Sequence, residues 1–425
     1  MNNAAPNRLG ELAKLFLKLG TIGFGGPAAH IAMMESEVVK RRQWLTREHF
    51  LDLIGATNLI PGPNSTEMAI HVGYSYGGWP GLIIAGICFI LPAVLITALF
   101  AWVYVAFGTL PAVAPLLYGI KPVVLAIILD ALWRLGKKAV KNRKLLVIAA
   151  CVAALLIFDL NEIFALLLGG LVGMIWLQMS NQDKPPSGQT AALMTATLTT
   201  GTALKSTAAA STALATQTSV SLWQLGLFFL KIGSVLFGSG YVLVAFLEGG
   251  LVQEYGWLTQ QQLLDAIAIG QFTPGPVLST ATFIGYVIAG VPGAIVATIG
   301  IFLPSFLFVA ILNPLIPRLR ASKWTSSFLD AVNVSSVALM AVVTFQLGVA
   351  TLSKPVAPFI NYPALVIAAI AAILTIRFQV NAAWLVLGGA LMSFLFFLLG
   401  FANSGSAIPK LILPLGFKSM SLFNS

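Results

Sequence analysis

Two short runs in this chain carry the residue types that hold a small anion. Asn58-Leu59-Ile60-Pro61-Gly62-Pro63-Asn64-Ser65-Thr66-Glu67 must break any helix at Pro61-Gly62-Pro63 and offers small hydroxyls where a new helix would begin. Gln271-Phe272-Thr273-Pro274-Gly275-Pro276-Val277-Leu278-Ser279-Thr280 repeats the pattern. Amides freed near Gly62 and Gly275, the hydroxyls of Ser65, Thr66, Ser279 and Thr280, and the carboxamides of Asn58 and Gln271 all donate hydrogen bonds to an oxyanion. A plain proline turn capped by Ser or Thr has the same composition. Paired breaks at corresponding positions are nevertheless the pattern of a transporter site.

A second pair of breaks precedes these. Gly23-Phe24-Gly25-Gly26-Pro27-Ala28-Ala29-His30 cannot continue a regular helix cheaply. A helix restarting at Pro27 would aim its N-terminal amides and positive dipole end at a cavity, placing Gly25, Gly26 and His30 beside an anion. Phe237-Gly238-Ser239-Gly240 echoes it, with Gly238 and Ser239 as counterparts. The alternative is a kink that packs helices closely through glycine. Lys18 and Lys231 stand just before the two breaks. They add positive potential, or else snorkel to a helix end. Glu35, Glu67 and Glu248 are candidates for proton coupling, with His30 and His71 as further exchangers. No zinc-ligand spacing, Walker loop or Gly-x-Ser-x-Gly elbow is present, so no enzyme, metal or cofactor is expected.

The elements that must position these residues lie in a membrane. The chain has 425 residues, 58% apolar and 9% charged, against about 25% charged in a soluble domain. Gly81 to Ile120, Ala266 to Pro317 and Phe378 to Pro409 contain no Asp, Glu, Lys or Arg. Such runs, without alternation, predict spanning helices and argue against a barrel. The net charge of +10 comes from basic clusters between apolar blocks. That fits cytoplasmic loops better than nucleic-acid binding. Cys88 and Cys151 sit in apolar blocks and are expected to be buried free thiols. Trp79, Trp102, Trp223, Trp257 and Trp384 are read as interface anchors. Met1 to Gly10 has no signal-peptide pattern, so the first apolar segment is expected to remain.

The chain is also duplicated. Phe16-Leu17-Lys18-Leu19-Gly20 recurs as Phe229-Leu230-Lys231-Ile232-Gly233, and Trp44-Leu45-Thr46 as Trp257-Leu258-Thr259, at the 213-residue offset that also relates the two Pro-Gly-Pro runs. After a one-residue slip, Gly73, Gly81 and Leu91-Pro92 match Gly285, Gly293 and Leu303-Pro304. Residues 1–180 and 222–425 are therefore expected to be homologous halves, joined by a Ser/Thr/Ala-rich linker over 181–221. Lys40, Arg41, Arg42 and Arg47 have no basic counterpart in Gln253 to Gln261. Arg318, Arg320 and Lys323 have none around Val105 to Leu110. The positive-inside rule then inserts the halves upside down to each other. The expected fold is an all-α polytopic membrane protein with two inverted repeats. It would have about ten transmembrane helices plus two re-entrant Pro-Gly-Pro hairpins. Twelve plain spans with parallel repeats are the alternative.

These ordered motifs resemble the chromate ion transporter family in its long-chain, two-domain form. The resemblance covers nearly the whole chain apart from the linker and tails. It implies a prokaryotic plasma-membrane protein that exports chromate, an analogue of sulfate. The second copy departs from the first, with Ser239-Gly240 in place of Gly26-Pro27 and Leu243 in place of His30. The expected function is alternating-access export of chromate or a related divalent oxyanion, driven by membrane potential, protons or both. A sulfate or other anion importer or exchanger, and an anion channel, are the alternatives. Expected partners are the inorganic oxyanion, the lipid bilayer and a second copy in a homodimer.

Overall fold

The computed structural model describes residues 5–108, 114–158, 160–179, 220–238, 240–313, 322–354, 357–360 and 362–398. Fourteen α-helices account for nearly all of them. The first half holds α1 (Ala5–Ile22), α2 (Gly26–Glu35), α3 (Arg47–Thr57), α4 (Asn64–Phe107), α5 (Ala114–Ala139), α6 (Arg143–Ile157) and α7 (Glu162–Met179). The second holds α8 (Leu222–Val235), α9 (Leu243–Leu247), α10 (Gln260–Phe272), α11 (Thr280–Leu312), α12 (Lys323–Leu352), α13 (Tyr362–Phe378) and α14 (Ala382–Leu398). A small antiparallel ribbon pairs Ser353–Lys354 with Ala357–Ile360. The expected linker, apart from its last two residues, lies outside the described residues, as do Arg318 and Arg320.

Packing follows from the sequence pattern. Leu12, Leu15, Phe16 and Leu19 form the buried stripe of α1, which packs on α4. Leu225, Phe228, Phe229 and Ile232 form that of α8, which packs on α11. Each contact closes over a glycine. A Cβ on Gly20 would lie 2.4 Å from the Phe89 carbonyl oxygen, and one on Gly233 2.5 Å from that of Ile301.

The longest apolar runs are not straight rods. α4 reverses at Gly78 (φ 62°, ψ −149°) and α11 at Gly290 (φ 63°, ψ −151°). Gly73 therefore meets Gly81, and Gly285 meets Gly293, without room for a Cβ. The Pro-Gly-Pro segment of the first half also doubles back. His49 near the start of α3 lies 3.3 Å from the Ser75 hydroxyl, and Trp44 stacks on Tyr76 at 4.1 Å. The eleven residues of α3 rise about 16 Å, short of the roughly 30 Å hydrocarbon core.

The long fifth helix of each half lies against the last two helices of the other. α5 packs on α13 and α14, and α12 packs on α6 and α7. Gly119 meets the Gly389 carbonyl, and Gly169 and Gly173 meet Ser335 and Ala331, the small-residue packing of helices in lipid. Outward, Ile83, Ile87, Leu91, Leu95 and Leu99 form an exposed stripe on α4, and Val291, Ile295, Ile299, Leu303, Leu307 and Ile311 one on α11. Stripes of that length are covered by lipid. Among the described residues, five helices are long and apolar enough to cross a bilayer, and three shorter ones are apolar. The chain is a helical multi-pass membrane protein. One expectation is corrected here. Cys151 is an exposed free thiol, because it lies on the outer side of α6. Trp257 stacks on Tyr255 and meets Phe228 edge-on.

Candidate functional site

The four breaks meet in pairs, each pair joining the two halves. The Gly275 amide donates to the Gly23 carbonyl at 2.7 Å, and the Gly62 amide donates to the Leu236 carbonyl at 2.8 Å. A Pro-Gly-Pro run contains a single amide hydrogen, so both of these donors are taken. The sequence reading aimed them at a solute; in this conformation they stitch one half to the other. The following turns are closed too, since the Thr66 and Glu67 amides return to the Pro63 carbonyl.

Glycine is required at the breaks themselves. Gly25 (φ 105°) and Gly26 (φ 78°) start α2, and Gly238 (φ 96°) lies before α9. α2 begins without a side-chain cap, so its first-turn amides remain available.

Beside each meeting point is a cavity. The larger, about 430 Å³, is lined by Gly25 and Gly26 of the first half and Gln271, Thr273 and Gly275 of the second, with Asp130, Arg134 and Lys137 from α5. The smaller, about 360 Å³, is lined by Asn58, Asn64 and Gly238, with Lys138 from the end of α5, Lys141 just after it and Asp330 from α12. Arg134 pairs with Asp130 at 2.7 Å, and Lys141 with Asp330 at 2.6 Å. Both cavities combine cationic side chains with carboxamides, and the larger adds the open start of α2, a donor set for an oxyanion.

Other sequence candidates lie elsewhere. Lys18 is half exposed and pairs with Glu37 at 3.2 Å. Lys231 is also exposed, and neither lysine borders either of these two cavities. His30 is buried. Its Nε2–H donates to the Gly23 carbonyl at 2.9 Å, and its ring meets Phe89 edge-on. It therefore braces the first break from behind. Ser65 and Thr66 are buried away from both cavities. Ser279 accepts a bond from Thr97, and Thr280 donates to the Val277 carbonyl. Ser239 lies outside the described residues. Asn58 donates to the Ile54 carbonyl and accepts from Asn64 at the cavity edge. Glu35 lies 3.8 Å from the exposed Arg47. Glu248 is buried with Gln260 at 3.4 Å. Glu67 is fully buried against Gly62 and Ser305.

The chain matches the chromate transporter family over residues 10–174 and again over 223–394. The chain belongs to the chromate transporter family. It is 33% identical to the chromate transport protein of Cupriavidus metallidurans, covering 79% of this chain and 82% of that one. It is also 33% identical to the probable chromate transport protein of Synechococcus elongatus, covering 80% and 84%. An uncharacterized transporter of Bacillus subtilis is 31% identical over 37% of this chain and 93% of its own length. No solved structure matches.

In this transporter the sequence reading missed the cations at and just after the end of α5. Arg134, Lys137, Lys138 and Lys141 fall among the basic clusters between apolar blocks, a pattern that charge alone assigns to cytoplasmic loops. The spacing of Asp130 to Arg134 within an apolar helix was the available signal, because such a pair marks one helix face.

Proposed function

We propose that this transporter exports chromate or a related divalent tetrahedral oxyanion across a prokaryotic plasma membrane by alternating access. The observation that carries the reading is the pair of junctions. At each, a break of one half is bonded to the Pro-Gly-Pro tip of the other, beside a cavity with cations and amide donors. A junction whose backbone link is one short hydrogen bond can part and reform, and its rearrangement would carry the cavity from one face to the other.

Residues 1–180 and 222–425 act in this reading as inverted repeats, with the Pro-Gly-Pro segments as re-entrant hairpins meeting near the bilayer centre. Gly25, Gly26, Gln271 and Gly275 form one side of the path, and Asn58, Gly62 and Gly238 the other. Export needs no other motor. A dianion leaving a negative-inside cell gains roughly 2.3 kcal/mol per charge per 100 mV. Proton exchange at Glu67 would add to this.

The test is flux of radiolabelled chromate in proteoliposomes under an imposed potential. Saturable, potential-driven movement that sulfate competes with is the expected result. Movement no faster than in empty liposomes would sink the reading. Linear conductance without saturation would favour a channel, and obligatory inward flux a sulfate-type importer.

A further inference from the structure

The larger cavity contains a carboxylate, which an anion path should exclude. Asp130 is almost fully buried, yet its Oδ2 lies 2.7 Å from Nη2 of Arg134, whose side chain is largely exposed. One turn on, the Lys137 ammonium rests 4.5 Å from the centre of the Trp133 ring. Two cations thus face one carboxylate, a surplus of a single positive charge. Across the cavity, Gln271 is nine-tenths buried and its Nε2 finds no acceptor among the described residues. The uncapped start of α2 opens beside it at Gly25 and Gly26.

We propose that Arg134 and Lys137 take the charge of the transported oxyanion, with Gln271 and the α2 amides as neutral donors, and that Asp130 is an internal counter-anion which the oxyanion displaces from Arg134. This assignment rests on the transport reading above and names the groups that perform it. The guanidinium has five N–H donors in a planar fork. Asp130 engages one side of that fork, so an arriving oxyanion meets donors already oriented. When the dianion binds, Arg134 exchanges one anionic partner for another, and the buried Asp130 carboxylate gives up its guanidinium, a cost that lowers the affinity. Asp130 recaptures Arg134 as the solute leaves. A site with two cations and no competing carboxylate would match a dianion's charge fully and release it slowly. Asp130 keeps binding weak enough for turnover.

Both directions of this exchange are measurable with purified protein in proteoliposomes. Arg134→Gln should lose about tenfold or more of chromate flux, and Arg134→Lys should restore part of it, because charge returns without the fork. Asp130→Asn should do the opposite to affinity, lowering KM about tenfold while also lowering kcat, since release slows. A purely structural role for the pair would leave KM unchanged while the amount of folded protein fell. Wild-type flux in Arg134→Gln, or an unchanged KM in Asp130→Asn, overturns the assignment alone. Absence of oxyanion flux in the wild type overturns the transport reading, and this assignment with it.

Discussion

Replacing Gly275 with alanine is expected to lower stability by about 2–4 kcal/mol and to cut chromate flux at least tenfold. Gly275 has φ 92°, which an L-residue adopts only with strain. A Cβ there would stand 2.9 Å from Cβ of Ala93 and 3.1 Å from the backbone oxygen of Gly20. Neither atom is the free end of a flexible side chain, so the hairpin tip itself must move. That movement pulls the Gly275 amide from the Gly23 carbonyl, now 2.7 Å away. Gly256→Ala is the control. Its φ is also positive (63°), but nothing lies within 4 Å of the added Cβ, so only about 1 kcal/mol should be lost. Thermal unfolding of the two purified variants, measured beside flux, checks the contrast. Equal losses would show that backbone strain, not the junction, matters.

The second large effect concerns Glu67. Its side chain is fully buried, and neither carboxyl oxygen has a hydrogen-bond partner among the described residues. Ser305 beside it is also unpartnered. The equivalent junction of the other half has Thr280 and Ala93 at these positions, and Thr280 is satisfied by the Val277 carbonyl. One junction thus holds a carboxyl with nothing to offset a charge removed from water. Glu67→Lys should leave little folded protein, since an unpaired buried charge costs about 3–5 kcal/mol. Glu67→Gln, a neutral near-isostere, should fold as well as wild type and lose the pH dependence of chromate flux. A Glu67→Lys variant with wild-type yield, or a Glu67→Gln variant whose flux responds to pH as before, would remove Glu67 from proton coupling.

Local sequence marked the breaks because Pro and Gly act on their own backbone: Pro61-Gly62-Pro63, Pro274-Gly275-Pro276, Gly25, Gly26 and Gly238 all interrupt helices in the structure. The apolar stripes of α1 and α8 were legible from helical period. What each freed group would bond to was not legible. The partners of Gly62 and Gly275 are Leu236 and Gly23, far along the chain, and no spacing rule predicts such pairs. Lys18 shows the same limit. Its position before a break suggested an anion site, but the turn after α2 brings Glu37 back to it. Arg134 was overlooked for the converse reason. Basic residues at a helix end satisfy the rule for cytoplasmic loops, and only the packing of α5 between α13 and α14 shows that they border a cavity.

The proposed opposite insertion of the two halves would account for the meeting of tips and breaks, and side-specific labelling tests it most directly. Gln43 and Gly256 both have positive φ, so the probes belong at Glu48 and Gln261, which are exposed and correspond at the 213-residue offset. In a background with Cys88 and Cys151 replaced, Glu48→Cys and Gln261→Cys are treated separately, in intact cells, with a membrane-impermeant maleimide. Glu48 adjoins Lys40, Arg41, Arg42 and Arg47, so its cysteine should react only after permeabilisation, while the cysteine at 261 should react from outside. Reaction of both from one face would contradict inverted halves.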